Sequence, residues 1–279
     1  MTVAVVIPTL NSERWLELCL SSIERQTYSE MEAIVVDGGS LDSTIDIAER
    51  HRARVIRGAF SRSTARRLGA SATTAEWVLF LDSDQTVEPK VVEECLERAT
   101  LDSAGALWIP EVDDGVGFWM RVRRLDRRIA NQPELSYPRF FRKDAYVRVG
   151  GHAQGLEHFM EDRDLYLRLR ANGIRVSSCR SHVLNRLGVL NPLELGVKGY
   201  RSAIDSAHYY ERNREHGERL WNVVTPRLRR LFQPGFLRLG DALSLLLLPP
   251  YSTVVYGPRL VSTLLNSIRP AAVSPSGSV

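Results

Sequence analysis

Val3-Ala4-Val5-Val6-Ile7-Pro8-Thr9-Leu10-Asn11-Ser12 opens on five apolar residues in a row and turns polar within the next few. A continuous apolar run this short suits a strand covered on both faces, the habit of parallel sheets. Downstream, Trp15, Leu16, Cys19, Leu20 and Ile23 recur at helical spacing, and Ala33-Ile34-Val35-Val36 predicts a second buried strand ending in Asp37-Gly38-Gly39-Ser40. The pattern continues with a helix through Ile45, Ile47 and Ala48, a short strand Arg54-Val55-Ile56, a helix over 63–72 and a fourth strand, Trp77-Val78-Leu79-Phe80-Leu81. Strand alternating with helix predicts an α/β fold, a mostly parallel sheet covered by helices. In such sheets ligands bind beyond the carboxyl ends of the strands. Pro8-Thr9, Asp37-Gly38 and Asp82-Ser83-Asp84 all lie at such ends, so they are expected to face one crevice.

The second half is less regular. Ala106 to Ile109 predicts another strand, Asp113 to Gly117 a turn or loop, and Ile174 to Ser178 a further strand. Met160-Glu161-Asp162-Arg163-Asp164 heads a helix carrying Leu165, Leu167 and Leu169 and closed by Asn172-Gly173. From about Pro192 the alternation fails, and helices are expected over 193–217 and 221–232. The apolar stretch 242–268 is interrupted by Pro249, Pro250, Pro258 and Arg259, so it lacks the roughly 20 unbroken apolar residues of a spanning helix. The expected organisation is a main domain over 1–190, a helical extension over 191–270 and a disordered end from 271 to 279.

With 279 residues, 44% of them hydrophobic and 25% charged, the chain can bury a substantial core. The net charge of +4 is modest, but arginines cluster at 121–128 and 227–230. Beside Phe118 and Trp119, the first cluster suits either an anionic membrane surface or a charged helix on an acceptor side. It accompanies no nucleic-acid-binding motif, and no nucleic-acid partner is expected. Three scattered cysteines predict reduced thiols, and a start lacking a basic flank and long apolar core predicts a cytoplasmic chain, peripheral at most on the inner membrane face.

Each polar constellation has a functional and a structural reading. Asp82 and Asp84 offer the hard oxygens that suit Mg²⁺ or Mn²⁺, or else Asp84 or Thr86 caps a helix beginning near Pro89. Asp37 either meets a ligand or makes an Asx-turn over Gly38-Gly39, and Ser40 with Asp42 caps the next helix. Glu161, Asp162 and Asp164 are either catalytic or gathered by a helix N-terminus. His182 is either a ligand or an ordinary half-buried histidine; His152 and His158 carry less signal.

In order along the chain, Val5 to Asn11, Val35 to Ser40 with Asp42, Ala65-Arg66, Leu81 to Asp84, Arg139 to Arg142, Gly150-Gly151 and Glu161 to Leu165 resemble the landmarks of family 2 glycosyltransferases of the GT-A fold. The resemblance covers about residues 1–185. It implies a nucleotide-sugar donor, UDP- or GDP-linked, with Asp37 accepting a hydrogen bond from the base and Pro8, Thr9 and Leu10 lining the same pocket. It implies that Asp82, with Ser83 beside it, contacts the ribose or the metal, and that Asp84 is the main protein ligand to Mg²⁺ or Mn²⁺. Arg66 would face the donor, although Arg67 stands where the family commonly has asparagine. His182 would complete the metal or phosphate site, and Asp162 would be the general base of an inverting transfer. A base favours a hydroxyl acceptor on a glycan or lipid-linked sugar, because a lipid phosphate is already ionised. The helical extension would dimerise or touch a membrane. The other classes weighed are a sugar nucleotidyltransferase, which would need a glycine-rich basic loop after the first strand, and a non-catalytic nucleotide-sugar-binding module.

Overall fold

A computed structural model of the chain describes residues 1–132, 137–154, 156, 160–189 and 221–237, together with Tyr209, Asn213, Asp241, Ser244 and Leu246. Its first strand, β1 (Val3–Thr9), holds Val3 through Ile7 completely out of solvent. Alternate side chains go to opposite faces, as strand geometry requires. Val3, Val5 and Ile7 join Leu16, Cys19 and Leu20 of helix α1 (Glu13–Glu24), whereas Ala4 and Val6 join Ile34, Val36 and Ala65 on the other side. This two-sided burial is why the segment reads as an unbroken apolar run.

Next come β2 (Met31–Asp37), α2 (Thr44–Arg50), β3 (Arg54–Arg57), α3 (Arg62–Ser71) and β4 (Trp77–Phe80). The main sheet has the order β3-β2-β1-β4-β8-β6-β9, completed by β6 (Ala106–Trp108), β8 (Phe140–Arg142) and β9 (Val176–Ser178). Only β8 runs antiparallel to its neighbours. Helix α3 lies so close to β1 that a Cβ on Gly69 would come within 2.3 Å of a Val6 methyl. That contact presses the helix carrying Arg66 against the centre of the sheet.

A second sheet, β5-β10-β7, was not expected. It consists of β5 (Gln85–Val87), β7 (Glu111–Val116) and β10 (Val183–Val189), with β10 antiparallel to β5 and parallel to β7. The supposed turn at Asp113 to Gly117 is therefore mostly strand, with Asp113 buried inside it. Gly115 is required there because a Cβ would sit 2.4 Å from the Gly188 carbonyl oxygen of the neighbouring strand.

Helices α4 (Val91–Leu101), α5 (Phe118–Ala130), α6 (Lys143–Arg148) and α7 (Glu161–Ala171) complete the described part of the first 189 residues. Helix α8 (Trp221–Leu231) falls within the predicted 221–232 helix and reaches α5 through Arg227 to Asp126 at 2.6 Å. The expected 193–217 helix, the 242–268 apolar stretch and the disordered end lie outside the described residues, apart from Tyr209, Asn213, Ser244 and Leu246. Among the described residues no helix is long and apolar enough to cross a membrane.

Candidate active site

Register brings the predicted strand ends together. Thr9 pairs with Asp37 across β1 and β2, and Val6 pairs with Phe80 across β1 and β4, so the turns after β1, β2 and β4 open on one edge. The Asp37 carboxylate is buried and accepts from the Thr9 hydroxyl at 3.0 Å, the Gly39 amide at 3.0 Å, the Ser40 amide at 2.8 Å and the Ser40 hydroxyl. Burial pushes this carboxyl up, but the hydrogen bonds from Ser40, Gly39 and Thr9 outweigh it and hold the group below its usual range. The turn reading of Asp37 is thus realised. A base reaching it would have to replace one of four existing donors. Gly39, at a φ of +100°, supplies the backbone that lets the turn close. Pro8 is half-buried and Leu10 is exposed beside this turn. Capping falls to Asp42, which accepts from the Thr44 and Glu13 amides at 3.1 Å each.

The turn after β4 is tied down differently. Ser83 shares a 2.8 Å hydroxyl contact with Ser12, and the Asp82 amide donates to Gln85 Oε1 at 3.0 Å. Gln85 is buried, its Oε1 also accepts from Arg139 at 2.7 Å, and its Nε2 donates to Asn185 at 2.8 Å. The helix-capping alternative is not taken. Lys90 precedes α4 without a side-chain cap, and Thr86 is buried in β5.

Arg66 sits at the centre of an acidic cluster. Its guanidinium is 5% exposed and reaches Asp82 at 2.9 Å, Asp162 at 3.3 Å and Glu161 at 3.4 Å. Arg62 stands 4.0 Å from both Asp82 and Glu161. Arg66 therefore does not stand free to face a donor; it holds three carboxylates from two distant segments in one place. Arg67, the next residue along the helix, is exposed. Burial pushes Asp82 up, but Arg66 and Arg62 outweigh it and hold it below the usual range. Burial and the neighbouring Asp162 charge push Glu161 up to about 7, with Arg66 pulling the other way. Burial also pushes Asp162 up, but Arg66 and His152 hold it well below an ordinary aspartate.

The two oxygens of Asp162 are not equivalent. Oδ1 accepts from Arg66 at 3.3 Å and from His152 Nε2 at 3.2 Å, whereas Oδ2 has no hydrogen-bond partner among the described residues, and the side chain is 38% exposed. The pair Glu161-Asp162 starts α7 directly after Met160, which adopts a left-handed φ of 69°. Such a conformation costs a non-glycine residue about 1 kcal/mol or more. Asp164 is structural: it is buried and accepts from Arg168, one helical turn on, at 2.6 Å.

His182 is not brought to the acidic turn. Val183 pairs with Val87 and Asn185 with Gln85, so His182 lies opposite Glu88, about 13 Å of strand from Asp84. Its amide donates to Glu88 at 2.8 Å, and its ring lies 3.3 Å from the same carboxylate. Asp82 and Asp84 are the carboxylates of this turn that could hold a divalent cation, and among the described residues no cluster of three or more acidic, His or Cys ligands exists. Two carboxylates in one turn fit a Mg²⁺-type ion, which takes one or two carboxylates and completes its shell with substrate phosphates and water.

Four arginines of the arginine-rich stretch are engaged in contacts within the protein. In α5, Arg123 and Arg127 bind Asp113 at 2.8 and 3.2 Å, Arg124 donates to the Gly115 carbonyl at 2.9 Å, and Arg128 binds Asp241 at 2.9 Å. These four charges tie α5 to the second sheet and to Asp241. Sequence reading missed Tyr146, Arg62 and Gln85 as neighbours of the site, gave His152 little weight, and placed Arg139 in a landmark without a role. The usable signal for His152 was the Gly150-Gly151 pair immediately before it.

The sequence pattern of glycosyl transferase family 2 matches residues 4–162, more than half of the chain. Among curated proteins, the uncharacterized glycosyltransferase EpsJ of Bacillus subtilis is 30% identical over 54% of this chain and 43% of its own length. A PGL/p-HBAD biosynthesis glycosyltransferase of Mycobacterium tuberculosis is 38% identical over 30% of this chain and 36% of its own. The matched stretches span less than half the length of these relatives. Among solved structures, the mannosyltransferase PcManGT from Pyrobaculum calidifontis, in complex with GDP-Man and Mn²⁺, superposes with a TM-score of 0.64 at 17% identity, covering 95% of this chain and 87% of that one. TarS 1-349 of S. aureus, in complex with UDP, gives 0.58 at 17% identity, covering 95% and 90%. The fold is that of the GT-A glycosyltransferases, and by its sequence the chain belongs to glycosyl transferase family 2.

Proposed function

We propose that this protein is an inverting, metal-dependent glycosyltransferase that moves a sugar from a UDP- or GDP-linked donor to a hydroxyl of a glycan or lipid-linked acceptor in cell-surface glycan assembly. The observation that carries the reading is Asp162. One oxygen is clamped by Arg66 and His152, and the other is open beside the acidic turn at the edge where Thr9, Asp37 and Asp82 converge. In the transfer, Asp162 Oδ2 takes the acceptor proton as the acceptor oxygen bonds to the anomeric carbon from the side opposite the leaving diphosphate. The bond from that carbon to the phosphate oxygen breaks, and its electron pair leaves on the diphosphate.

Asp84, with Asp82, would hold Mg²⁺ or Mn²⁺, which when bound neutralises charge on the diphosphate. The Mn²⁺ and GDP-Man named with PcManGT and the UDP named with TarS support this donor chemistry. Pro8, Thr9, Leu10 and Ser83 would line the nucleotide pocket. A base hydrogen-bonded to Asp37 would displace one of its two hydroxyl donors, Thr9 or Ser40, which unlike the amides can rotate away. Peripheral membrane contact and dimerisation belong to the proposal on narrower ground, the exposed Val116, Phe118 and Val189 at one end of the second sheet and α5.

The test is diphosphate release from a panel of nucleotide-sugars with and without Mn²⁺, in the presence of hydroxyl acceptors. Pyrophosphate exchange, or binding without turnover, would count against the reading.

A further inference from the structure

Next to Asp162 lies a buried pair that the transfer chemistry above does not use. His152 is 1% exposed and Tyr146 is 3% exposed, and the imidazole packs edge-on against Phe80 with ring centres 5.0 Å apart. The Tyr146 hydroxyl oxygen lies 3.2 Å from the His152 backbone amide and 2.8 Å from His152 Nδ1. The amide can only donate, so the phenol oxygen accepts there and its single proton is free for Nδ1. Burial and the nearby Arg66 and Arg168 charges push the imidazole down, against the pull of Asp162, which favours the neutral ring. A neutral ring that accepts at Nδ1 must carry its proton at Nε2, which lies 3.2 Å from Asp162 Oδ1.

The backbone around the pair is shaped for this arrangement. Gly150 and Gly151 both have positive φ, at 81° and 64°, and a Cβ on Gly151 would come 2.9 Å from the Tyr146 ring. The glycine pair therefore turns the chain so that His152 returns over the ring of Tyr146.

We propose that Tyr146 and His152 form a positioning relay for Asp162: the phenol fixes the imidazole tautomer, and Nε2–H, with Arg66, clamps Oδ1 so that Oδ2 alone meets the acceptor. The proposal rests on Asp162 as the base. His152 acts through Asp162 and touches no substrate atom, so its removal lowers turnover and leaves donor binding alone. Gln can offer an N–H where Nε2 stands, whereas Phe fills the same space without a donor.

Two measurements test it on the full chain. In protein labelled with ¹⁵N-histidine, long-range ¹H–¹⁵N correlation at pH 7, assigned by the loss of one ring in His152→Gln, is expected to show His152 as the neutral Nε2–H tautomer. The same spectrum of Tyr146→Phe is expected to show that preference lost. In transfer assays, His152→Phe is expected to lose about 10- to 100-fold in kcat, the scale of a slightly misplaced reacting group, with donor KM within about twofold. His152→Gln is expected to recover most of that loss. An Nδ1–H tautomer or an imidazolium in the wild type overturns the relay, whether or not His152→Phe folds. Unchanged kcat in His152→Phe, with an active wild type, overturns it while leaving the proposed function intact; absence of transfer by the wild type overturns both.

Discussion

Two arginine–carboxylate networks sit on either side of the Asp82 turn, and they are balanced oppositely. In the network of the second sheet, Glu111 and Asp113 meet three arginines: Arg127 reaches Glu111 at 2.6 Å, Arg123 reaches Asp113 at 2.8 Å, and Arg139 binds Glu111. Asn185 donates to both carboxylates, at 3.0 and 2.7 Å. Burial pushes both acids up, but the arginines outweigh it and hold both below the usual range. In the other network, Asp82, Glu161 and Asp162 share the buried Arg66, with Arg62 at 4.0 Å from two of them. One acid, Glu161, is pushed up to about 7 and one oxygen of Asp162 is left open. A network with enough cations locks two layers together, while one short of cations is suited to receive a cation and a proton. Gln85 joins the two, taking Arg139 and the Asp82 amide on the same oxygen.

Substitutions can break this contrast. The largest effect is expected for Asp162→Asn, with transfer falling about 10³-fold, the scale of losing a general base, and donor binding by thermal shift retained. A variant that transfers normally would make the open oxygen incidental. Asp113→Asn is expected to cost stability instead, about 3 kcal/mol in denaturant unfolding, because Arg123 and Arg127 would face a neutral amide in a buried site. Its donor affinity should be unchanged. If Asp113→Asn abolished donor binding at undiminished stability, the two networks would not divide as argued.

Glu161→Gln sharpens the contrast through pH. A buried acid whose folded pKa lies near 7, above its ordinary 4.5, favours folding while protonated, and that contribution is lost as pH rises through about 7. The glutamine carries no such penalty. The stability of Glu161→Gln relative to wild type is therefore expected to improve between pH 5 and pH 8, by about 1–2 kcal/mol once the charge shared with Asp162 is allowed for. A pH-independent difference would contradict the assignment. The smallest effect is expected for Arg67→Ala, which removes an exposed charge of α3. Both stability and donor binding should change by less than about 0.5 kcal/mol, whereas a clear loss of donor binding would show that the donor reaches Arg67.

Strands β1, β2 and β4 were legible because burial on both faces writes itself as an unbroken apolar run, and β3, half-buried at the sheet edge, was legible from its place in the strand–helix alternation. The second sheet was not, since β5, β7 and β10 bury carboxylates and amides, and Asp113 or Asn185 in a strand looks like a turn until its partner is known. Asp82 and Asp162 could be found because they follow a strand and head a helix. The resemblance turns Arg66 toward the donor, and neither its burial nor the three acids around it was legible, because those acids come from segments distant in the sequence. His182 was misplaced for a reason of register: pairing across β5 and β10 sets it opposite Glu88, and nothing local to His182 encodes that pairing. His152 shows the converse, a residue whose importance comes from where two glycines return the chain.

The central claim is that the cation-poor network is where a nucleotide-sugar is cleaved and its sugar passed to a hydroxyl. The most direct measurement is the anomeric configuration and diphosphate yield of the product, by NMR, when the wild-type protein and Asp84→Asn are given the nucleotide-sugar panel with Mn²⁺ and a hydroxyl acceptor. Diphosphate release with one donor class, a product of inverted configuration, and loss of metal-dependent turnover in Asp84→Asn are expected. A product of retained configuration, or undiminished metal-dependent turnover in Asp84→Asn, would contradict the claim.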